Sequence, residues 1–272
     1  MDEVLTILHL LFRWMHVVAG IMWIGHLWFF NFVNAQLVKT YDADSKKKVL
    51  PELMPRALYW FRWGAMYTFI SGALLFAIIY PAGGALLPSE STMNSHLAAT
   101  LVLVIAFAGF AIYDQLWKNV KNEMVAAAIS FVLLVGAAFG MSRFLSGRAT
   151  WVSMGAILGT IMFANVWMRI WPNQRKIIAG VKGTGPAPDA SVAAMAGLRS
   201  KHNTYMSMPL MLFMVSNHFP NVVIGSKDSP IVDLGYSNNN IGFIVIGVYI
   251  LLGWGITKLF YNKSAAEAPK TF

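Results

Sequence analysis

The 272-residue chain has no cysteine. That excludes disulfides, thiolate metal sites, iron–sulfur clusters and covalently attached c-type haem, which needs a C-x-x-C-H sequence. Charge is also scarce. Only 12% of the residues are Asp, Glu, Lys or Arg, about half of what a soluble domain carries. Acidic residues are the rarer sign, 12 against 21 Lys and Arg, and the net charge is +9. The basic excess lies between long apolar runs and forms no continuous patch, so a nucleic-acid partner is excluded along with a cytosolic enzyme or a disordered chain. The start, Met1-Asp2-Glu3, lacks the basic residues of a secretory signal, and the first apolar run reads as a retained membrane helix.

What is present is apolar: 57% hydrophobic residues and a mean hydropathy of +0.57. Runs near the ~20 residues that span a bilayer fall at about 7–36, 58–80, 96–117, 124–145, 150–171, 204–222 and 240–261. The expected fold is therefore all-α, a polytopic bundle of about seven transmembrane helices in one integral membrane domain over 1–272. The sixth run is diluted by Asn203, Thr204, Ser207, Ser216 and Asn217 and interrupted by Pro209, which suits a helix facing protein. Segments 39–57 and 172–203 read as cytoplasmic loops, the second rich in Gly and Pro, and 262–272 as a flexible tail. Fifteen Lys and Arg fall in one set of alternate loops. The opposite set holds only Arg143, Arg148 and Lys227. By the positive-inside rule the N-terminus faces outward and the C-terminus the cytoplasm, as in a bacterial-type cytoplasmic (inner) membrane. The pairs Gly136/Gly140 and Gly155/Gly159 have the spacing of close helix packing.

Polar groups at membrane depth carry most function there, so the six histidines, His9, His16, His26, His96, His202 and His218, come first. A single such histidine is more often a hydrogen-bonded packing residue than a ligand. Their joint placement points further. His16 and His26 are ten residues apart, about 15 Å and about 80° around a helix, so they cannot share one metal. His202 and His218 are separated by about 24 Å on a straight helix. If the first helix runs inward and the sixth outward, His16 and His218 share the outer level, with His96 a competing outer ligand. His26 and His202 fall deeper and miss each other by about 10 Å.

Bis-histidine ligation is how a bundle holds b-type haem without cysteine. One or two haems are expected, with His16 and His218 as the leading iron ligands, then His26, His202 and His96. Arg13 is placed to pair a propionate or to snorkel to the interface. The flanking aromatics add little, since ten Trp are spread through the chain. No Walker loop, G-x-S-x-G elbow or H-E-x-x-H occurs. The intramembrane carboxylates are limited to Asp114 near the inner end of the third helix, which counts against a proton-coupled pump.

Four strings are more specific than composition: LLFRWMHVVAGIMWIGHLWFFNFVN, FANVWMRIWPNQRK, SGRATW and RSKHNTYMSMPLMLFMVSNHFP. Over nearly the whole chain the sequence resembles the membrane domain of the cytochrome c-linked urate hydroxylase family, also described as the urate oxidase N-terminal domain family. The resemblance implies a membrane enzyme that oxidises urate to 5-hydroxyisourate and passes electrons to a cytochrome c. It carries over His16, His202 and His218 as polar site positions. Long members of that family end in a cytochrome c domain; here the expected acceptor is a separate c-type cytochrome. The resemblance also implies an acidic residue where Gly64 stands, while His26 and His96 look like additions.

A urate pocket needs several convergent donors, and Arg62, Asn165, Asn203 and Tyr205 are the candidates. Two other readings stand beside this one. The first is a haem b electron-transfer subunit of a respiratory complex, with quinol or a dehydrogenase as donor. The second is a non-enzymatic membrane scaffold or transporter.

Overall fold

A computed structural model describes residues 3–219 and 242–266, which are helical almost throughout, with no strand among them. The elements are α1 (Glu3–Trp28), a π-helical turn (Phe29–Asn34), α2 (Ala35–Thr40), α3 (Ala43–Ile79), α4 (Ser95–Asn119), α5 (Glu123–Ser142), α6 (Gly147–Asn165), a second π-helical turn (Val166–Ile170), α7 (Trp171–Lys182), α8 (Ala190–Val215), a 3₁₀ turn (Ser216–His218) and α9 (Gly242–Ala265). The π turns continue their neighbours, so α1–α2 and α6–α7 each form one rod.

Among the described residues six helices are long and apolar enough to cross a membrane: Glu3–Thr40, Ala43–Ile79, Ser95–Asn119, Glu123–Ser142, Gly147–Lys182 and Gly242–Ala265. This is a multi-pass membrane protein. The first span displays Leu10, Trp14 and Ile21 outward, each about two-thirds exposed, as lipid-facing side chains require. The most apolar stretch of the α6 span is instead 72% buried. The remaining helix, α8, has 26 residues and sufficient length, but it buries Arg199, His202, Asn203, Thr204 and Ser207. It faces protein, as its low apolarity implied.

The helices outrun the apolar runs that announced them. Segment 39–57 is helical except at Tyr41 and Asp42, not a loop. Pro51 and Pro55 lie inside α3, where each removes a backbone donor without ending the helix. At 37 residues, α3 is roughly 55 Å long, well beyond the ~30 Å hydrocarbon layer, so its Lys-rich first turns extend past the apolar part. Segment 172–203 is likewise mostly helix. α7 stops at Gly183, whose φ of +71° is the left-handed C-terminal cap only glycine adopts readily. α8 starts behind Asp189, whose carboxylate accepts from the Ser191 amide at 2.7 Å. α9 reaches Ala265, into the expected tail. Residues 220–222 of the expected sixth helix, and 267–272, lie outside the described residues.

The chain divides into two compact units: Met1–Phe12, Gly72–Ile161 and Met208–Gly253 form the first, and Arg13–Ser71, Met162–Ser207 and Trp254–Phe272 the second. In the first unit, Gly155 and Gly159 pack α6 on α8. A Cβ on Gly155 would lie 2.6 Å from Met214 Cε and 3.2 Å from Phe213 Cβ, and one on Gly159 3.5 Å from Leu210. The Gly136/Gly140 pair does not do this, for a Cβ at either position meets nothing within 4 Å. Asp114, 4% exposed, is paired with Lys118 at 2.6 Å one turn along α4.

The second unit is held by α1 against α3 and α8. Ala19, Trp23 and Leu27 form a buried stripe at helical spacing. Gly64 of α3 sits against it so closely that a Cβ would lie 3.1 Å from Trp23 N and 3.3 Å from Ala19 O. The acidic residue implied there by resemblance has no room at this crossing. Phe69 stacks on Phe163 at 4.2 Å and Trp63 meets Trp167 edge-on at 5.8 Å, fixing α3 against the α6–α7 rod.

Candidate functional site

The second unit contains the polar groups expected to carry chemistry. His16 points its Nδ1 at the Thr68 carbonyl (2.9 Å) and the Ser71 hydroxyl (3.2 Å). Ser71 itself donates to the Tyr67 carbonyl at 2.5 Å, so toward His16 it acts as acceptor. Carbonyls accept only, so Nδ1 carries the proton and Nε2 keeps a lone pair. His26 repeats the pattern, with Nδ1 donating to the Met22 carbonyl at 2.7 Å. An imidazole whose Nδ1–H is held by a carbonyl and whose Nε2 is available is the usual state of a metal-binding histidine.

Two hydrogen bonds set the register of α1 against α8: Trp28 Nε1 donates to Ser207 Oγ at 3.0 Å, and Asn31 Nδ2 to Ser200 Oγ at 2.9 Å. In that antiparallel register His26 faces positions 205–209. His202 is therefore three to seven residues away, roughly 5–10 Å along the axis. In that register the two histidines are offset along the helix axis. His202 is 9% exposed beside the fully buried Arg199. His218, exposed in the 3₁₀ turn, belongs to the first unit with His9 and His96. His96 stands at the start of α4, where its amide is capped by Asn94 at 2.9 Å. Arg13 opens the second unit's part of α1 and is half-buried.

Asn165 and Asn203 do meet. Asn165 Nδ2 donates to Asn203 Oδ1 at 2.8 Å, and Asn203 Nδ2 to the Met162 carbonyl at 3.0 Å; both residues are fully buried. Tyr205 points elsewhere and stacks on Tyr261 at 5.7 Å. Tyr261 in turn donates to Asn31 Oδ1 at 3.0 Å. A polar seam thus runs through α1, α6, α8 and α9.

Arg62 lies apart from that seam. Its guanidinium covers the Trp171 ring at 4.0 Å, with Tyr59 at 5.6 Å. Its Nε is buried and has no hydrogen-bond partner, and the same holds for Trp167 Nε1 one turn before Trp171. Cation–π contact holds the guanidinium plane but leaves its in-plane donors free.

The sequence profile described as Urate oxidase N-terminal matches residues 2–48 and 40–263. The chain belongs to the urate oxidase N-terminal family. No curated protein and no solved structure matches it. Within this family member, sequence reasoning missed Trp167, Trp171, Arg199, Asn31 and Asn34. The two tryptophans were lost among ten. Arg199 reads from sequence as a loop charge, although among the described residues it is the largest fully buried side chain. Asn31 and Asn34 did carry a signal, two amides three apart at the end of an apolar run.

Proposed function

We propose that this protein is an integral membrane oxidoreductase of the urate hydroxylase type, converting urate to 5-hydroxyisourate and delivering the electrons to a separate c-type cytochrome. Urate and water give 5-hydroxyisourate, two protons and two electrons, and two cytochrome c molecules take the electrons. Family membership supports the class. The observation that carries the site is Arg62, whose guanidinium lies on the Trp171 face with a buried, unpartnered Nε, together with the buried, unpartnered Trp167 Nε1 one turn before Trp171. Urate is a planar monoanion rich in acceptors. It suits a cation, free N–H groups and an aromatic wall better than the Asn165–Asn203 pair, whose amides already bond each other.

The residues fit b-type haem, which when bound supplies a one-electron relay. His16 and His26 would each offer Nε2 to a separate haem iron, at two levels of α1, while Thr68, Ser71 and Met22 keep each ring oriented and in the required tautomer. The lysine and arginine distribution supports an outward N-terminus in a bacterial-type cytoplasmic membrane. A second reading, favoured by the same two Nε2 atoms, is a haem b electron-transfer subunit with another donor.

Arg62→Ala separates these. The expected result is urate binding weakened at least tenfold, about 1.4 kcal/mol, in equilibrium dialysis with labelled urate, with the absorption spectrum unchanged. Equal binding by wild type and variant would remove Arg62 from the site and leave the electron-transfer reading.

A further inference from the structure

A cavity of about 290 Å³ lies within the second unit, between the first π turn, the early turns of α3, α7 and the start of α8. Its walls are mainly apolar, with Phe30, Leu58, Phe61 and Ile177 among them, and both π turns contribute. π-helical turns cost hydrogen-bond geometry and concentrate at functional sites. Neither the Arg62 region nor the Asn165–Asn203 pair belongs to this wall.

Two asparagines of one π turn line the cavity and differ sharply. Asn31 is saturated: Nδ2 donates to the Leu27 carbonyl and Ser200 Oγ, both at 2.9 Å, and Oδ1 accepts from Tyr261. It is a structural amide. Asn34 is 7% exposed, its Nδ2 meets only Met54 Sδ at 3.7 Å, and its Oδ1 is buried with no partner. Sulfur is a weak acceptor and the amide oxygen would be repelled by it, which fixes the amide with its oxygen outward from Met54. A buried amide acceptor without a donor costs about 1–3 kcal/mol, and such a group is completed by a bound water or by a ligand.

Ligand chemistry follows from this wall. The free group is an acceptor, so the ligand presents an O–H or N–H. Apart from Asn31, Gln174 and Ser200 the remaining wall is apolar, and no cationic side chain lines it, which disfavours an anion such as urate. The volume holds one substituted ring and the beginning of a tail. We infer that this cavity binds the ring of a hydroquinone lipid, one ring hydroxyl donating to Asn34 Oδ1. The inference is independent of the urate reading, because its test measures binding and not turnover.

The test uses the purified full chain in detergent, stripped of lipid, with tritiated decylubiquinol and its di-O-methyl ether as probes in equilibrium dialysis. Wild type is expected to bind the quinol at least tenfold tighter than the ether. Asn34→Leu should reduce quinol affinity to that of the ether. Gly197 lines the cavity, and a Cβ there meets nothing within 4 Å, so Gly197→Phe should fill the space without disturbing the fold and abolish binding of both probes. Equal binding of quinol and ether by wild type, a result that needs no variant to fold, would make this an acyl-chain cavity and overturn the proposal. Undiminished binding by Gly197→Phe would place the ligand elsewhere and overturn it as well.

Discussion

At the scale of single residues, the buried amides divide into those that hold the fold and those left over. Asn203 is of the first kind, fully buried and bonded to both Asn165 and the Met162 carbonyl. Asn203→Leu keeps the volume but strands the Asn165 amide, and the expected loss is about 1–3 kcal/mol in thermal or denaturant unfolding in detergent. Adding Asn165→Leu should recover part of it, since the second substitution removes the stranded partner. A double variant as unstable as the sum of the singles would show that the pair is not coupled. The polar candidates were legible because polar residues in apolar runs stand out: Asn165 and Asn203 were named from sequence and do touch. Their role was not. Whether an amide is saturated, as in Asn31, or has a free oxygen, as in Asn34, depends on neighbours about 170 to 230 residues away in the chain (Ser200 and Tyr261), or on a methionine sulfur.

Elements show the same division. The seven apolar runs marked seven helical rods, because the ~20-residue requirement of a bilayer leaves a strong signal. Their ends were misplaced wherever a helix leaves the apolar layer. Beyond that layer a helix needs only caps and an amphipathic face, and the Lys-rich, proline-containing start of α3 was read as a loop for that reason. The caps give a prediction. Asp189 and Asp42 stand before α8 and α3, and each carboxylate accepts a backbone amide, from Ser191 at 2.7 Å and from Ser45 at 2.6 Å. Those amides hold both carboxyl groups below the usual aspartate range. A depressed folded value means stabilisation that is complete above the unfolded pKa of about 3.9 and is lost as pH falls through the folded value. The midpoint of thermal unfolding should therefore drop below about pH 4, and Asp42→Asn/Asp189→Asn, which keeps an acceptor at each cap but removes the titration, should flatten that drop. An unchanged profile in the double variant would assign the acid sensitivity to other groups.

For the whole molecule, α8 has the apolar deficit and the buried polar residues, the α6 span is mostly buried, and the remaining long helices supply lipid-facing surface. The multi-pass fold follows from the six long apolar helices among the described residues, and family membership from the profile match. We propose urate at Arg62 and Trp167, haem on histidine nitrogens at two levels of α1, and a hydroquinone in a separate cavity at Asn34. The measurement that bears most directly on the central claim is anaerobic turnover of urate by the purified chain with a c-type cytochrome present. Two cytochromes reduced per urate consumed are expected, with no oxygen requirement, and loss of this activity in Arg62→Ala. Cytochrome reduction that responds to another donor but never to urate would contradict the claim.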